Sequence, residues 1–286
     1  MARKEKFANP WIELAYRMKR WYKAPGAPSK SDLMIYRRYW HQIFGKEIGV
    51  KALVLGSTPQ LRDLLYELRA EVTIIDINFE MSLAMTELLK KAKPDREVWI
   101  KANWLNNPLA DNYFDVILGD VVLENVPTPL QPKFFQQLRK ILKPGGFWLA
   151  KFEVVPDDWQ IWPLEKTLAY YAHLPYRANR FEELYCHLLA DTFDSGKVDS
   201  VSSARIFKRI KKYYKNNQWH HPDKKVQRLL RQMWQMWRPF DKVWSQARAS
   251  TIKQKVSKYF EILAQDQAKD YLLAETMPIW LCQIKK

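Results

Sequence analysis

The 286-residue sequence has two cysteines, eight glycines and no long apolar run. Cys186 and Cys282 have neither the number nor the spacing of a disulfide framework or a zinc site, and we predict no metal centre. No stretch approaches the roughly eighteen uncharged apolar residues that a membrane span requires. The N-terminal sequence Met-Ala-Arg-Lys-Glu-Lys also lacks the apolar core of a secretion signal. These absences predict a cytoplasmic protein without a membrane partner.

Glycine is scarce where dinucleotide-binding proteins need several. The apolar run 51–55 ends at a single glycine, Gly56, and Thr58 and Leu61 stand where the motif Gly-x-Gly-x-x-Gly has its second and third glycines. The second glycine of that motif allows the pyrophosphate to approach the backbone. The side chain of Thr58 blocks this approach, so the sequence disfavours a dinucleotide oxidoreductase.

The same stretch still has the form of a nucleotide-type site. A strand that stops at a glycine turn and leads into a helix, here opened by Pro59, presents backbone N–H groups and a positive dipole end to a ligand. About twenty residues later a second apolar run, 72–77, contains Asp76 near its end, where a carboxylate usually holds the hydroxyl pair of a ribose.

Strands alternate with helices through the first half of the chain. The alternation predicts a parallel, doubly wound sheet that binds ligands at the carboxyl ends of its strands. Two late apolar runs suit an antiparallel hairpin at the sheet edge, so the predicted fold is α/β and Rossmann-like with seven strands. The predicted strands are 52–55, 72–77, 97–103, 114–120, 147–152, 259–264 and 278–284, and the core helices begin at Pro59 or cover 79–91, 129–142 and 243–257.

Three regions are predicted from the chain order. Residues 1–50 form a cap of two helices, the first starting at Asn9-Pro10 as an N-cap and first-turn pair. Residues 51–155 and 243–286 form the sheet domain. Residues 156–242, here called the insertion, read as helical and basic, and we predict that they cover the strand ends. The predicted helices of the insertion are 164–174, 181–193, 206–214 and 226–237.

Acidic side chains are scarce in one part of the chain. Residues 197–258 carry 17 basic and three acidic side chains, whereas residues 51–196 carry 16 and 20, within a net charge of +16. The basic stretch 205–231 has two interpretations. Its cations contact nucleic-acid phosphates beside aromatic side chains that stack on bases, or they form the solvated face of amphipathic helices in a lid.

Several motifs together resemble the class I S-adenosylmethionine-dependent methyltransferases. Residues 54–62 look like the Gly-Ser/Ala-Thr-Pro-Glu-Leu-Arg glycine motif of one bacterial branch, although Gln60 replaces its Glu. Asn103-Trp104 stands where that branch has an Asp-Trp pair beside the adenine. The sequences 142–146 and 271–279 resemble the helix end after strand four and the C-terminal pattern of the same branch.

The resemblance implies S-adenosylmethionine as the cofactor and assigns residues to it. Asp76 would take the ribose hydroxyls, and Asp120 would meet the amino group of the ligand or the substrate. Asn103 replaces a carboxylate, so recognition of the adenine amino group would use its amide oxygen or fall to the backbone. The predicted cofactor-binding residues are Gly56, Ser57, Thr58, Asp76, Ile77, Asn103, Trp104 and Asp120.

Methyl transfer from a sulfonium is an in-line displacement, which depends mainly on alignment and on exclusion of water. A general base helps only when the acceptor must lose a proton during attack. The weak candidates for a catalytic role are Asp120, Glu124 and His173, followed by Glu153 and His41, and the sequence assigns none of them.

The predicted function is methyl transfer from S-adenosylmethionine to a small organic acceptor. A basic interior would suit an anionic acceptor, such as a carboxylate or a phosphate ester. The alternatives are an RNA or DNA methyltransferase that uses residues 205–231, and a catalytically inactive S-adenosylmethionine-binding module. An aminopropyltransferase needs a carboxylate-rich amine pocket, for which Asp120 and Glu124 alone give thin support. The sequence does not predict the oligomeric state.

Overall fold

The fold was obtained as a computed structural model that describes residues 10–195, 199–237 and 242–285, with side chains from Tyr16 onward. Asn9, the predicted cap of the first helix, lies outside these residues. Within the described ranges, no helix is long and apolar enough to cross a membrane. The helices are α1 (Pro10–Trp21), α2 (Lys30–Phe44), α3 (Pro59–Glu67), α4 (Phe79–Thr86), α5 (Gln131–Ile141), α6 (Leu164–His173), α7 (Arg180–Ala190), α8 (Ser203–Ile210), α9 (Lys224–Trp237) and α10 (Ala249–Ser257).

Seven strands form one sheet in the order β10-β11-β5-β4-β1-β2-β3. In this sheet β11 runs antiparallel to its neighbours β5 and β10, and the remaining pairs are parallel. The predicted Rossmann-like sheet with an antiparallel C-terminal hairpin is therefore confirmed. The strands are β1 (Lys51–Leu55), β2 (Glu71–Asp76), β3 (Val98–Lys101), β4 (Phe114–Asp120), β5 (Leu142–Lys151), β6 (Val201–Ser202), β7 (Tyr214–Lys215), β8 (Gln218–Trp219), β9 (Val243–Trp244), β10 (Phe260–Asp266) and β11 (Ile279–Ile284).

Successive side chains of a strand point to opposite faces of the sheet, and helices bury both faces. On β1, Leu53 and Leu55 join the core under α5 and α10, while Ala52 and Val54 join the core under α2 and α3. Each large apolar side chain that is buried in this way contributes roughly 1.5–3 kcal/mol to the stability of the fold. The run 51–55 is apolar for this reason.

Helix α2 begins at a reciprocal cap. The Ser29 hydroxyl accepts a hydrogen bond from the N–H of Asp32 at 3.0 Å, and the Asp32 carboxylate accepts one from the N–H of Ser29 at 2.8 Å. The two bonds satisfy N–H groups that have no partner within the helix. They also fix the Asp32 carboxylate at the buried start of α2.

The insertion helices share an apolar cluster with the regions on both sides of them. Leu184 of α7 and Leu229 of α9 belong to it, and so do Met18 of α1, Met85 of α4 and Met277 before β11. Helix α1 thus packs against α4 and the insertion, whereas α2 packs on the sheet.

The insertion leaves and rejoins the sheet domain at one place. The N–H of Val155 donates to the carbonyl of Ala247 at 3.0 Å, and the N–H of Ala249 donates to the carbonyl of Val155 at 2.9 Å. The predicted helix 243–257 is wrong at its start, because Val243–Trp244 is strand β9 and pairs with β6. Helix α10 begins only at Ala249.

The basic run 205–215 is not one helix, contrary to the pattern of its apolar residues. Helix α8 ends at Ile210, and a 3₁₀ turn then leads into the hairpin of β7 and β8. Asn216 and Asn217 form its turn with φ values of 49° and 59°, a left-handed conformation that asparagine accepts more easily than other side chains. The Asn-Asn pair therefore makes the hairpin turn, after the helical region has already ended at Tyr213.

A buried ion pair fastens α3 to the turn before β3. Arg62 donates to both carboxylate oxygens of Glu97, at 2.9 and 2.5 Å, and their side chains are 0% and 4% exposed. The Trp99 indole also donates to Glu97, at 3.0 Å. A buried bidentate pair of this kind leaves an uncompensated charge when one partner is removed.

We expect Glu97→Gln to lower the free energy of unfolding by about 3 kcal/mol or more, because Arg62 then stays buried without its anion. Chemical denaturation measures this. The matched control is Glu87→Gln, whose partner Lys19 forms an exposed pair, and its cost should be under about 1 kcal/mol. Equal losses in both variants would contradict the structural role of the buried pair.

Candidate functional site

A cavity of about 560 Å³ lies at the carboxyl ends of β1, β2, β4 and β5. The strand order reverses between β1 and β4, which is where doubly wound sheets bind their ligands. All the predicted cofactor-binding residues line this cavity, and their roles as ligands remain predictions. They are Gly56, Ser57, Thr58, Asp76, Ile77, Asn103, Trp104 and Asp120.

The turn after β1 has the conformation that its single glycine allows. Gly56 has a φ of +83°, where a side chain would be strained, and its N–H donates to the carbonyl of Ile75 at 2.9 Å. A Cβ at position 56 would lie 3.8 Å from Oδ2 of Asp76. The glycine turn and the carboxylate are therefore direct neighbours, with Pro59 opening α3 behind them.

Asp76 ends β2 with its carboxylate on the cavity wall. Oδ1 accepts a hydrogen bond from the N–H of Asn78 at 2.7 Å, and Oδ2 faces Gly56. Burial raises the pKa of Asp76 to about 6, against the effect of its backbone hydrogen bonds. A buried carboxylate with one oxygen on a cavity suits a neutral hydrogen-bond donor such as a ribose hydroxyl.

Trp104 is held rigidly beside Asp76. Its indole N–H donates to the carbonyl of Ile75 at 2.9 Å, and its ring packs on Phe134. The amide oxygen of Asn103 accepts from the N–H of Leu105 at 2.9 Å. An adenine amino group could be recognised by the Asn103 amide oxygen or by the backbone. Because the Asn103 oxygen already accepts a local hydrogen bond, recognition by the backbone is favoured.

Asp120 has a structural partner in addition to its place on the cavity wall. The ammonium group of Lys151 lies 2.7 Å from Oδ1 of Asp120 and 3.6 Å from Oδ2 of Asp32. Lys151 is fully buried, and the two carboxylates outweigh burial and raise its pKa. Burial raises the pKa of Asp120 to about 6. Asp120 therefore neutralises Lys151 before it meets any ligand.

Glu124 and Glu153 lie at different depths. Oε1 of Glu124 accepts from the N–H of Glu153 at 2.6 Å, and Glu124 lies behind the residues that line the cavity. Burial raises the pKa of Glu124 to about 8. Glu153 lines the cavity itself, and burial raises its pKa to about 7.

The structure places neither histidine candidate at the cavity. His173 is exposed at the end of α6 and does not line the cavity. His41 is exposed near the end of α2, where its Nδ1 lies 2.7 Å from the carbonyl of Gly45.

The insertion supplies cavity residues that the sequence analysis did not identify. Glu182 of α7 accepts a hydrogen bond from the indole of Trp237 at 3.0 Å, and Tyr185 stacks on the same indole at 4.5 Å between ring centres. Helix α7 is buried on every side, which its sequence does not reveal. Further cavity residues from outside the sheet include Tyr22, Cys186, Leu189, Lys242 and Trp244.

Lys242 is the basic residue on the cavity wall. Its ammonium group lies 3.7 Å from the centre of the Trp244 ring and donates a hydrogen bond to Asn125. Burial lowers its pKa to about 7, while Glu124 and Asp76 act in the opposite direction. In the described part of the chain, no group of three or more His, Cys, Asp or Glu residues is arranged to hold a metal ion.

Residues 55–150 match the family model described as a methyltransferase domain. The matched segment starts at the end of β1 and ends in β5, so it includes the glycine turn, Asp76 and Asp120. The fold around it is the Rossmann-like fold of the class I methyltransferases, whose cofactor is S-adenosylmethionine. Residues 55–150 of the chain therefore resemble a methyltransferase domain, on a Rossmann-like fold.

Known proteins resemble the chain in part. A ubiquinone/menaquinone biosynthesis C-methyltransferase, UbiE of Shewanella baltica, is 31% identical over 116 residues, which are 39% of this chain and 45% of that protein. A UbiE of Shewanella oneidensis is 30% identical over the same shares. The chain thus matches about half the length of these relatives.

Two solved structures share the fold. The N-methyltransferase NodS of Bradyrhizobium japonicum, in complex with S-adenosyl-L-homocysteine, has a TM-score of 0.51 at 11% identity and covers 97% of this chain and 100% of its own. A presumed zinc-dependent alcohol dehydrogenase of Rhodobacter sphaeroides has a TM-score of 0.58 at 14% identity, covering 98% and 100%. At these identities the likeness concerns the fold alone.

The buried Glu124 should make the stability of the protein depend on pH. Because its folded pKa of about 8 exceeds its usual 4.5, its contribution to stability is full below pH 4.5 and is lost as the pH rises through 8. We expect the isosteric Glu124→Gln to raise the melting temperature at alkaline pH, by about 2–4 °C for each kcal/mol recovered, and to change it little at acid pH. Thermal unfolding across pH measures the difference. The exposed Glu275→Gln is the control, and a parallel response in both variants would contradict the assignment.

Proposed function

We propose that this chain transfers a methyl group from S-adenosylmethionine to a small organic acceptor enclosed in the cavity. The observation that carries the proposal is the shared cavity itself. The residues predicted to bind the cofactor line one end, and the same space continues past Asp120 to Glu153 and the aromatic side chains of the insertion. One continuous space lined by both groups of residues suits a direct transfer.

The strand order supports a linear arrangement of the cofactor. Asp76 ends β2, the glycine turn follows β1, and Asp120 ends β4, so these groups lie in sequence along the sheet edge. Neighbouring strands are about 4.8 Å apart, which puts the end of β5 roughly 14 Å from that of β2. The adenosine would lie at Asp76 and Trp104, the methionine part at 56–58, and the sulfonium would face Glu153.

Alignment and exclusion of water account for the chemistry. An in-line displacement needs the acceptor on the far side of the methyl group from the sulfur, with water excluded from the reactive cation. Leu189, Trp237 and Met277 provide apolar walls at the acceptor end. No covalent intermediate with the protein is required.

The position of the charges favours a small acceptor over a nucleic acid. Lys208, Lys211 and Lys212 are exposed on the outside of the insertion, away from the residues that line the cavity. The cations that suggested an anionic acceptor are thus mostly outside the site. The UbiE relatives suggest transfer to carbon, but a match to less than half of their length does not carry their acceptor to this chain.

We also propose that residues 54–62 are the glycine motif of the bacterial branch named above. The buried ion pair of Arg62 with Glu97 supports this proposal, because it shows what the final arginine of the motif does in the fold. Gln60, the departure from the motif, lies one residue after Pro59 at the start of α3.

We expect Asp76→Ala to weaken binding of S-adenosylhomocysteine by about 10- to 100-fold, because a hydrogen bond to a charged group is worth about 1.5–3 kcal/mol. Titration calorimetry measures the affinity. Asp95→Ala, at an exposed carboxylate before β3, is the control and should bind as the wild type does. Equal affinity in the Asp76 variant would remove the assigned cofactor site.

Transfer of radiolabelled methyl from S-adenosylmethionine into cell extract should label dialysable molecules. The labelling should resist nuclease and protease, since a cavity of about 560 Å³ is of the size that small-molecule ligands occupy. Charge reversal at Lys208, Lys211 and Lys212 should leave the rate unchanged. Nuclease-sensitive label together with steep salt dependence would instead favour the nucleic-acid alternative, and bound cofactor without any transfer would favour an inactive binding module.

A further inference from the structure

The acceptor end of the cavity contains a carboxylate without a partner. Glu153 is 7% exposed and lines the cavity, and its carboxylate makes no hydrogen bond or ion pair with any residue that the structure describes. Its backbone N–H is bound by Glu124. Burial of an unpartnered carboxylate costs several kcal/mol. The position of Glu153 is therefore explained best by a ligand that supplies the missing hydrogen-bond donor or positive charge.

A second carboxylate and several aromatic rings share this end. Glu182 is buried and lines the cavity, with the Trp237 indole as its hydrogen-bond donor. Tyr185 stacks on Trp237, and Tyr22 lines the same cavity close to both Thr58 and Glu182. Aromatic faces attract cations, most strongly where water is excluded.

The nearby basic groups already have anionic partners. Lys151 is held between Asp120 and Asp32, and its charge lowers the pKa of Glu153 less than burial raises it. Lys242 is held at Trp244 and Asn125, and its electrostatic partners are Glu124, behind the cavity wall, and Asp76, on the cofactor side. The acceptor end therefore presents two buried carboxyl groups, with the pKa of Glu153 raised to about 7 and that of Glu182 to about 8, in a chain whose net charge is +16.

On the basis of the proposed methyl transfer, we propose that the acceptor is a small amine, bound as its ammonium ion at Glu153, and that the Glu153 carboxylate receives its proton. An ammonium ion supplies the hydrogen-bond donors and the charge that Glu153 lacks. Glu182 and the aromatic wall reinforce the preference for a cation.

The step balances in atoms and charge. The ammonium ion loses one proton to the Glu153 carboxylate, which frees the nitrogen lone pair. That pair forms a bond with the methyl carbon, the carbon–sulfur bond breaks, and its electron pair stays on sulfur. The products are the methylated ammonium ion, neutral S-adenosylhomocysteine and protonated Glu153, which releases its proton to solvent. Burial keeps the pKa of Glu153 at about 7, so it can both accept and release a proton near neutrality.

An acceptor of another charge does not fit these groups equally well. A carboxylate or phosphate ester would face the Glu153 carboxylate with like charge, and like charges brought together away from water are costly. A neutral hydroxyl could donate one hydrogen bond to Glu153 but would leave the excess negative charge uncompensated. The charge of the methylated product therefore distinguishes an amine acceptor from an anionic acceptor or a hydroxyl.

The test uses labelled S-adenosylmethionine and the dialysable fraction of extract from the cells that make this protein. The new labelled product should be retained by a cation exchanger at neutral pH and elute apart from the cofactor. Glu153→Gln should form it about 100-fold more slowly, as loss of a general base predicts, while its affinity for S-adenosylhomocysteine stays within about twofold of the wild type.

Glu153→Gln is isosteric and removes a buried charge, so its melting temperature should not fall. Glu165→Gln, at an exposed glutamate of α6, is the matched control and should keep the wild-type rate. Label in a neutral or anionic product, or an undiminished rate in Glu153→Gln, would overturn the inference and leave methyl transfer intact. Failure of S-adenosylhomocysteine to bind the wild type would instead refute the proposed function.

Discussion

The ion pairs of buried Lys151 determine how the main parts of this molecule meet. Its ammonium group joins Asp120 at the end of β4 to Asp32 at the start of α2. The Tyr36 hydroxyl strengthens the same junction, since it donates to the carbonyl of Gly119 and accepts from the N–H of Lys151. A buried charge without a partner is strongly destabilising, so α2 and the two strand ends must assemble together.

The cavity depends on this junction. With Asp120 fixed by Lys151, the wall between the cofactor end and the acceptor end cannot shift without separating a buried charge pair. The opposite wall comes from α7 and the region around Trp244, which belong with α1 and Met277 to a third apolar cluster beside the two that flank the sheet. The ligand space lies where this third cluster meets the carboxyl ends of the strands.

Local patterns predicted the sheet and the cofactor end because both follow from the sequence around each strand. Gly56, Asp76 and Asp120 stand at strand ends, and parallel strand ends meet at one edge. The acceptor end could not be predicted in this way. Glu182 reaches the cavity only through the packing of α7, and His173 was misplaced because helical spacing does not reveal which end of a helix faces the sheet. The start of α10 was misjudged because β9 forms only by pairing with distant β6.

The hydrogen bonds that join Val155 to Ala247 and Ala249 have a consequence for how such a chain can change over evolution. They join the residue before the insertion to a short segment that follows its last residue, Lys242, so a change in the length of the insertion need not alter the sheet. Lengthening a closed loop costs only about 0.6 kcal/mol for each doubling. Substitutions within the insertion can therefore change which acceptor is preferred, while the strand ends that are predicted to bind the cofactor stay the same.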